Sequence, residues 1–330
     1  MKRRDFIAVL AAATCAGMLS RNAVAETVSR KSTAYLTSPV FLQHHISADH
    51  PESPERIRTL QNTVLTAELS PGLIQPAFQS RSAKWLNIIH STEHIDSIQT
   101  NSPVAYKVAS AAVDACLEAV DLVIAGRVRN AFCASRPPGH HALNTGREEG
   151  FCYFNQIAIA ARYAQKLYKL EKVLIVDWDY HHGNATELAF YDDPSVLFFS
   201  SHDRFAYPGT GAPDRKGVDR GLGYNINIHL PCDTEDREIV AVYEQTLVTA
   251  ANSFKPDLVL VSAGFDSRRD DLLGCFKVSD SGFQSLTRIV MQIAEDHCDG
   301  RLVSILEGGY NLPGNASAAL AHLTTLLNSK

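Results

Sequence analysis

Short apolar runs alternating with stretches of helical periodicity constrain this 330-residue chain more than any other feature. Six such runs, NAFCASR, KVLIVDW, SVLFFSS, YNINIHL, DLVLVSA and RLVSILE, begin at Asn130, Lys172, Ser195, Tyr224, Asp257 and Arg301. Around them, helical stretches are expected over 103–125 (closed by Gly126), 155–170, 237–253 and 281–297, with a last one from about 316. In the first of these, Val104, Val108, Ala111, Ala112 and Ala115 fall at helical spacing. Strands this short and this continuously apolar are buried on both faces. They predict an α/β fold, an open and mostly parallel sheet with helices on both sides. No internal repeat or Pro/Ser-rich linker divides the chain, so a single domain is expected over 26–330.

In open parallel sheets ligands bind beyond the carboxyl ends of the strands. Here NAFCAS runs into RPPGHH, VLIV into DWDYHHGN, DLVLVS into AGFD and LVSIL into EGGYN. These four exits deliver His140, His141, Asp177, Asp179, His181, Asp266 and Tyr310. Chance loops are polar and turn-rich, not loaded with histidine and aspartate. On an extended segment, positions 177, 179 and 181 share one side. Asp179 and His181 then converge on one metal ion, and Asp266 from a neighbouring strand end closes the set. Three protein ligands with an open position mark a catalytic metal site. Taken alone, D-x-D-x-H reads equally well as a hydrogen-bonded turn or a surface patch; Asp266 and the tandem histidines favour the metal.

The first 25 residues stand apart. A basic start, an apolar stretch from Phe6 to Leu19 and a small-residue end at Ala23-Val24-Ala25 predict an export signal. The stretch is short for a membrane span, which takes about 20 residues. Arg3-Arg4 resembles a twin-arginine signal, implying an exported, periplasmic bacterial protein. Loss of residues 1–25 would remove Lys2, Arg3, Arg4, Arg21 and Asp5, leaving 27 basic and 35 acidic residues, a net charge of −8. Such a surface argues against nucleic acid as a partner. Six cysteines remain, at 116, 133, 152, 232, 275 and 298, with no C-x-x-C pair among them. They are expected to be buried small hydrophobes rather than a zinc or disulfide framework.

RPPGHH, GFCYFN, DWDYHHGN, YPGTG, SAGFD and LEGGYN occur here in the order and rough spacing of the zinc-dependent histone deacetylase family. That family includes bacterial deacetylase-like amidohydrolases and acetylpolyamine amidohydrolases. Asn184 in HHGN and Glu307 in EGGY resemble the class II branch, and HISADHPESPERI resembles the family's N-terminal region. The likeness spans roughly residues 35–325 and implies the arginase/deacetylase fold. It implies one zinc ion on Asp179, His181 and Asp266, with Asp177 orienting His140, Asn184 behind His141, and Tyr310 as oxyanion donor. His141 is then the preferred general base, and His140, paired with a carboxylate, the charged partner. Gly150, Phe151 and Tyr207 match the acyl-lysine channel. Leu273 stands where acetylpolyamine-selective relatives carry a gating glutamate, which disfavours that specialisation. The resemblance further implies a potassium ion near Asp177, Asp179, His181 and Ser200. Two carboxylates and one imidazole form a hard ligand set, so Fe(II) remains an alternative to zinc.

The expected activity is removal of an acetyl or related acyl group from an amine: an acyl-lysine, an acetylpolyamine or another small amide. Two alternatives stay open. An arginase-like ureohydrolase would hold two metals and needs aspartates in D-x-H-x-D order, which DWDYHHGN lacks. A non-catalytic acyl-group binder would have no need of His140, His141 and Tyr310 together. The glycine-rich YPGTGAPDRKGVDRGLGYN lacks the G-K-[ST] ending of a phosphate cradle and reads as a pocket wall. Stable membrane insertion after signal cleavage is not expected, and the oligomeric state stays open.

Overall fold

All six apolar runs become strands of one sheet. The computed structural model describes residues 32–328 apart from 68, 70 and 71, so the export signal expected over 1–25 lies outside the described residues. The strands are β1 Thr33–Leu36, β2 Leu73–Ile74, β3 Asn130–Cys133, β4 Val173–Asp177, β5 Val196–Asp203, β6 Asn225–Leu230, β7 Leu258–Ala263 and β8 Leu302–Leu306. The helices are α1 Glu55–Thr66, α2 Thr92–Asn101, α3 Pro103–Ile124, α4 Gln156–Tyr168, α5 Asn184–Phe190, α6 Asp236–Val242, α7 Val248–Phe254, α8 Asp280–Cys298 and α9 Leu312–Leu327.

The sheet runs β2-β1-β3-β8-β7-β4-β5-β6, and every neighbouring pair is parallel. Parallel strands need covered faces. Accordingly β3, β4, β5, β7 and β8 are buried at every residue. The helices α3 and α4 pack together over one side, and α1, α8 and α9 pack together over the other. Each fully buried Val, Leu, Ile or Phe contributes about 1.5–3 kcal/mol relative to exposure.

Strand order is what builds the site. The four strands whose exits carry ionisable residues, β3, β8, β7 and β4, are consecutive in the sheet. Their register aligns Cys133, Ile305, Ser262 and Asp177 in one row. The four exits therefore leave the sheet at one level, side by side.

Several expectations are corrected. The 237–253 helix runs without a gap from Asp236 to Phe254, but a π-helical turn at Tyr243–Leu247 separates α6 from α7. The last helix begins at Leu312, because Asn311 caps it by accepting the Gly314 N–H (2.8 Å) and Pro313 suits its first turn. Val104 in α3 is 52% exposed rather than buried, whereas no residue of α3 is exposed from Val108 onward. Cys116, Cys133, Cys152 and Cys298 are buried free thiols as expected. Cys232 and Cys275 are not: they are joined in a disulfide. No helix among the described residues is long and apolar enough to cross a membrane.

Candidate active site

The strand β4 ends at Asp177, so Asp179 and His181 do not lie on an extended strand as the alternation argument supposed. They sit in a turn held by aspartate side chains. Asp177 Oδ1 accepts the Asp179 N–H (3.1 Å), and Asp179 Oδ1 accepts the His181 N–H (2.8 Å). The hydrogen-bonded turn and the ligand cluster, posed as alternatives, are one structure. The turn folds Asp179 and His181 towards Asp266, which leaves β7 next door. Donor atoms of Asp179, His181 and Asp266 all lie within 4.8 Å of one another. His181 Nδ1 is 3.1 Å from Asp179 Oδ1 and 3.0 Å from Asp266 Oδ2.

This cluster suits a divalent cation. Burial works against charge on His181, yet hydrogen bonds to Asp179 and Asp266 hold its pKa up to about 10. Burial, then the neighbouring Asp179 charge, pushes Asp266 up to about 7. Two buried carboxylates thus compete for a positive charge, which a metal with neutral imidazole supplies better than a proton. The backbone makes room for them. A Cβ on Gly308 would lie 2.0 Å from Asp266 Oδ2, and the Gly308 N–H bonds Asp179 Oδ2 at 2.8 Å. Only glycine lets both carboxylates come this close to β8.

The tandem histidines stand beside the cluster with opposite electrostatics. His140 Nδ1 donates to Asp177 Oδ2 (3.0 Å), and its Nε2 is 3.8 Å from Asp179. Burial disfavours its charge, but Asp179 and Asp177 prevail and hold its pKa well above the ordinary imidazole value. His141 is driven the other way, by burial and then by the charges of His140 and His181. Its Nδ1 faces Asn184 Oδ1 at 2.7 Å, so Nδ1 carries the hydrogen and Nε2 keeps a free lone pair. Two neighbouring groups pushed apart in this way divide acid and base roles.

A cavity of about 700 Å³ is lined by His141, Gly150, Phe151, His181, Tyr207, Leu273 and Tyr310. Every expected channel residue therefore faces one space. Gly150 has φ +54°, and a Cβ there would meet His141 Cδ2 at 2.5 Å and Tyr207 Cε1 at 2.7 Å. Tyr207 is edge-on to His141 (5.0 Å between centroids), and Phe151 is edge-on to Tyr310 (5.8 Å). Asp177, Asp179, Asp266 and His140 are buried beneath, and Asn184 lies behind His141 on a separate cavity. Ser200 pairs with Asp177 across β4 and β5, with its hydroxyl 2.9 Å from His202 Nδ1. Tyr310 is 5% exposed, and burial raises its pKa well above 10, so it stays a donor.

A histone deacetylase domain matches residues 50–326. The chain belongs to the histone deacetylase family. Histone deacetylase 15 of Arabidopsis thaliana is 37% identical over 297 residues, covering 84% of this chain and 53% of that protein. A probable deacetylase of Archaeoglobus fulgidus is 34% identical over 291 residues, covering 83% of this chain and 80% of its own length. Among solved structures, the HDA15 HD domain matches with a TM-score of 0.83 and 35% identity, covering 90% of this chain and 89% of that one. This chain spans about half the length of the Arabidopsis protein. Membership brings metal-dependent deacetylase chemistry, the removal of an acyl group from an amine, and the arginase/deacetylase fold.

Sequence reasoning singled out Glu307 as a mark of the class II branch but did not show how the site is held together. Glu307 accepts the Gly139 N–H (2.6 Å) and the His140 N–H (3.2 Å), fixing the tandem histidines from β8. Arg56 donates to the Gly309 carbonyl (2.6 Å) and covers the Tyr310 ring at 4.9 Å. Arg136 pairs with buried Glu52. The charged residues in RPPGHH and EGGYN were visible, but their backbone partners were not.

Proposed function

We propose that the chain hydrolyses an N-acyl amide with one zinc ion held by Asp179, His181 and Asp266. The observation that carries this reading is the donor set, with His140 beside it, buried beneath one cavity that His181, His141 and Tyr310 line. When bound, zinc supplies Lewis acidity to the amide carbonyl and lowers the pKa of water from about 15.7 to about 7. His141, held neutral with Nε2 free, takes the proton of the attacking water and returns it to the leaving amine. Asp177 keeps His140 charged and fixed, an electrostatic partner for the oxyanion. Tyr310 donates its O–H to that oxyanion, and Phe151 and Tyr207 flank the acyl-bearing chain with aromatic walls.

Substrates are acyl-lysine peptides, acetylpolyamines or other small N-acyl amines, and a potassium ion beside Asp177, Asp179, His181 and Ser200 completes the cofactors. Export to the periplasm is supported by the basic-apolar start of the sequence and by the Cys232–Cys275 disulfide, since such bonds persist in oxidising compartments. Turnover of a fluorogenic acetyl-lysine amide, abolished by chelator and restored by zinc, is the expected result. Ester cleavage without amide cleavage would overturn the assignment. A reporter fused to residues 1–30 should leave the cytoplasm, and its retention would refute export.

A further inference from the structure

Tyr310 belongs to a loop with little of its own to hold it: Gly308 and Gly309 precede it, and Gly309 has φ +122°. Arg56 holds the Gly309 carbonyl and Asp179 the Gly308 N–H, and the loop leaving β7 holds the backbone of Tyr310 and Asn311. Asp271 Oδ2 accepts the N–H groups of Tyr310 (2.6 Å) and Asn311 (3.1 Å), while Oδ1 accepts that of Leu273 (2.9 Å). One carboxylate thus fixes the Tyr310 backbone and the cavity wall together. The same loop is tethered covalently four residues on, where Cys275 is bonded to Cys232 just beyond β6, across 43 residues of sequence. The Cys275 carbonyl also accepts the Asp233 N–H (2.9 Å), and Phe276 packs edge-on to Tyr180 (4.9 Å). Both cysteines line the same cavity as Tyr310 and Leu273. Between the two anchors, Gly274 lies so close to Asp266 that a Cβ would fall 2.0 Å from its carbonyl oxygen.

We infer that Asp271 and the Cys232–Cys275 disulfide form a brace that positions Tyr310 and Leu273. Asp271 is a positioning residue, acting through Tyr310, and the inference rests on the role proposed for Tyr310 above. With the disulfide opened, the 271–275 loop keeps its hydrogen bonds and packing but loses its covalent tether to the segment after β6. Asp271 then holds Tyr310 from a looser support. Misplacing a catalytic group by about 1 Å costs on the order of 100-fold in rate.

The test compares oxidised protein, protein treated with a phosphine, and the variants Cys232→Ala, Asp271→Asn and Asp271→Ala. The phosphine and one water convert the disulfide to two thiols and phosphine oxide. Two readouts are taken: kcat and KM, and hydrogen exchange of residues 307–314 with 103–124 as an internal control. Reduction and Cys232→Ala should speed exchange in 307–314 but not in 103–124. Both should lower kcat about 10- to 100-fold with KM little changed. Phosphine should then do nothing further to Cys232→Ala. Asp271→Asn, which keeps one acceptor oxygen, should fall between wild type and Asp271→Ala. Unchanged exchange and kcat after complete reduction would overturn the brace, as would free thiols at 232 and 275 in the isolated protein. If the oxidised wild type hydrolyses no amide, the functional reading fails instead, while the exchange data still decide whether the brace exists.

Discussion

Removing one oxygen atom from Tyr310 isolates its proposed chemistry from its packing. The ring is held by neighbours that ignore the hydroxyl: the Arg56 guanidinium lies over it at 4.9 Å and Phe151 meets it edge-on at 5.8 Å. Arg56 is itself fixed by the Gly309 carbonyl, and the Tyr310 N–H by Asp271. Tyr310→Phe should therefore keep fold, metal content and substrate fit. What disappears is one donor to the oxyanion, worth about 2.7–4 kcal/mol, or roughly a 10²–10³-fold loss in kcat. The loss should fall on kcat and not on KM, because the bond strengthens only in the transition state. Steady-state kinetics on an acetyl-lysine amide, with bound metal measured in both proteins, reads this directly. A loss below about tenfold at equal metal content, or a loss carried wholly by KM, would refute the reasoning.

Other consequences can be checked with similar variants. His141→Ala removes the neutral base and should lower kcat about 10²–10⁴-fold, and restoration by added imidazole would mark the loss as chemical. Gly308→Ala places a methyl 2.0 Å from Asp266 Oδ2, so tight metal binding should be lost while circular dichroism keeps the native signal; full metal retention would contradict the close-approach argument. Burial lowers His322 from the ordinary 6.5 to about 3, with its ring between Thr287 and Ser304. The unfolded chain takes up that proton below pH 6.5 and the native state only near pH 3. The histidine's contribution is thus complete above 6.5 and declines by up to about 1.4 kcal/mol per pH unit in between. Urea unfolding of His322→Gln should show a shallower fall than wild type from pH 6.5 to 5, and parallel slopes would exclude the effect. His90 and His202, both lowered to about 3 by burial, should add slopes of the same sign.

The chemistry was legible in the sequence where it sits at strand exits. An apolar run followed closely by an aspartate or histidine marks both the strand and the group its exit presents: Asp177 ends β4, and Asp266 and His140 lie three and seven residues beyond β7 and β3. The strand order was not written there, yet it decides the site, because it sets β3, β8, β7 and β4 side by side. The two-residue β2 offers no run long enough to stand out. The contacts of the support residues escaped for a different reason. The carboxylates of Asp271 and Glu307 bind backbone N–H groups 39 and 168 residues away, and backbone groups carry no sequence signature. Nor does a bond between Cys232 and Cys275 leave a local spacing pattern. Asp179 and His181 were placed together on a strand geometry that the turn replaces, and the same turn chemistry brings both towards Asp266.

The central claim is tested most directly by anomalous diffraction across the zinc edge from crystals of protein purified without added metal. The account predicts one strong peak per chain, bounded by the carboxylates of Asp179 and Asp266 and by Nδ1 of His181, and its disappearance in Asp266→Ala. Two peaks in the cluster, or none there after zinc is supplied, would contradict it.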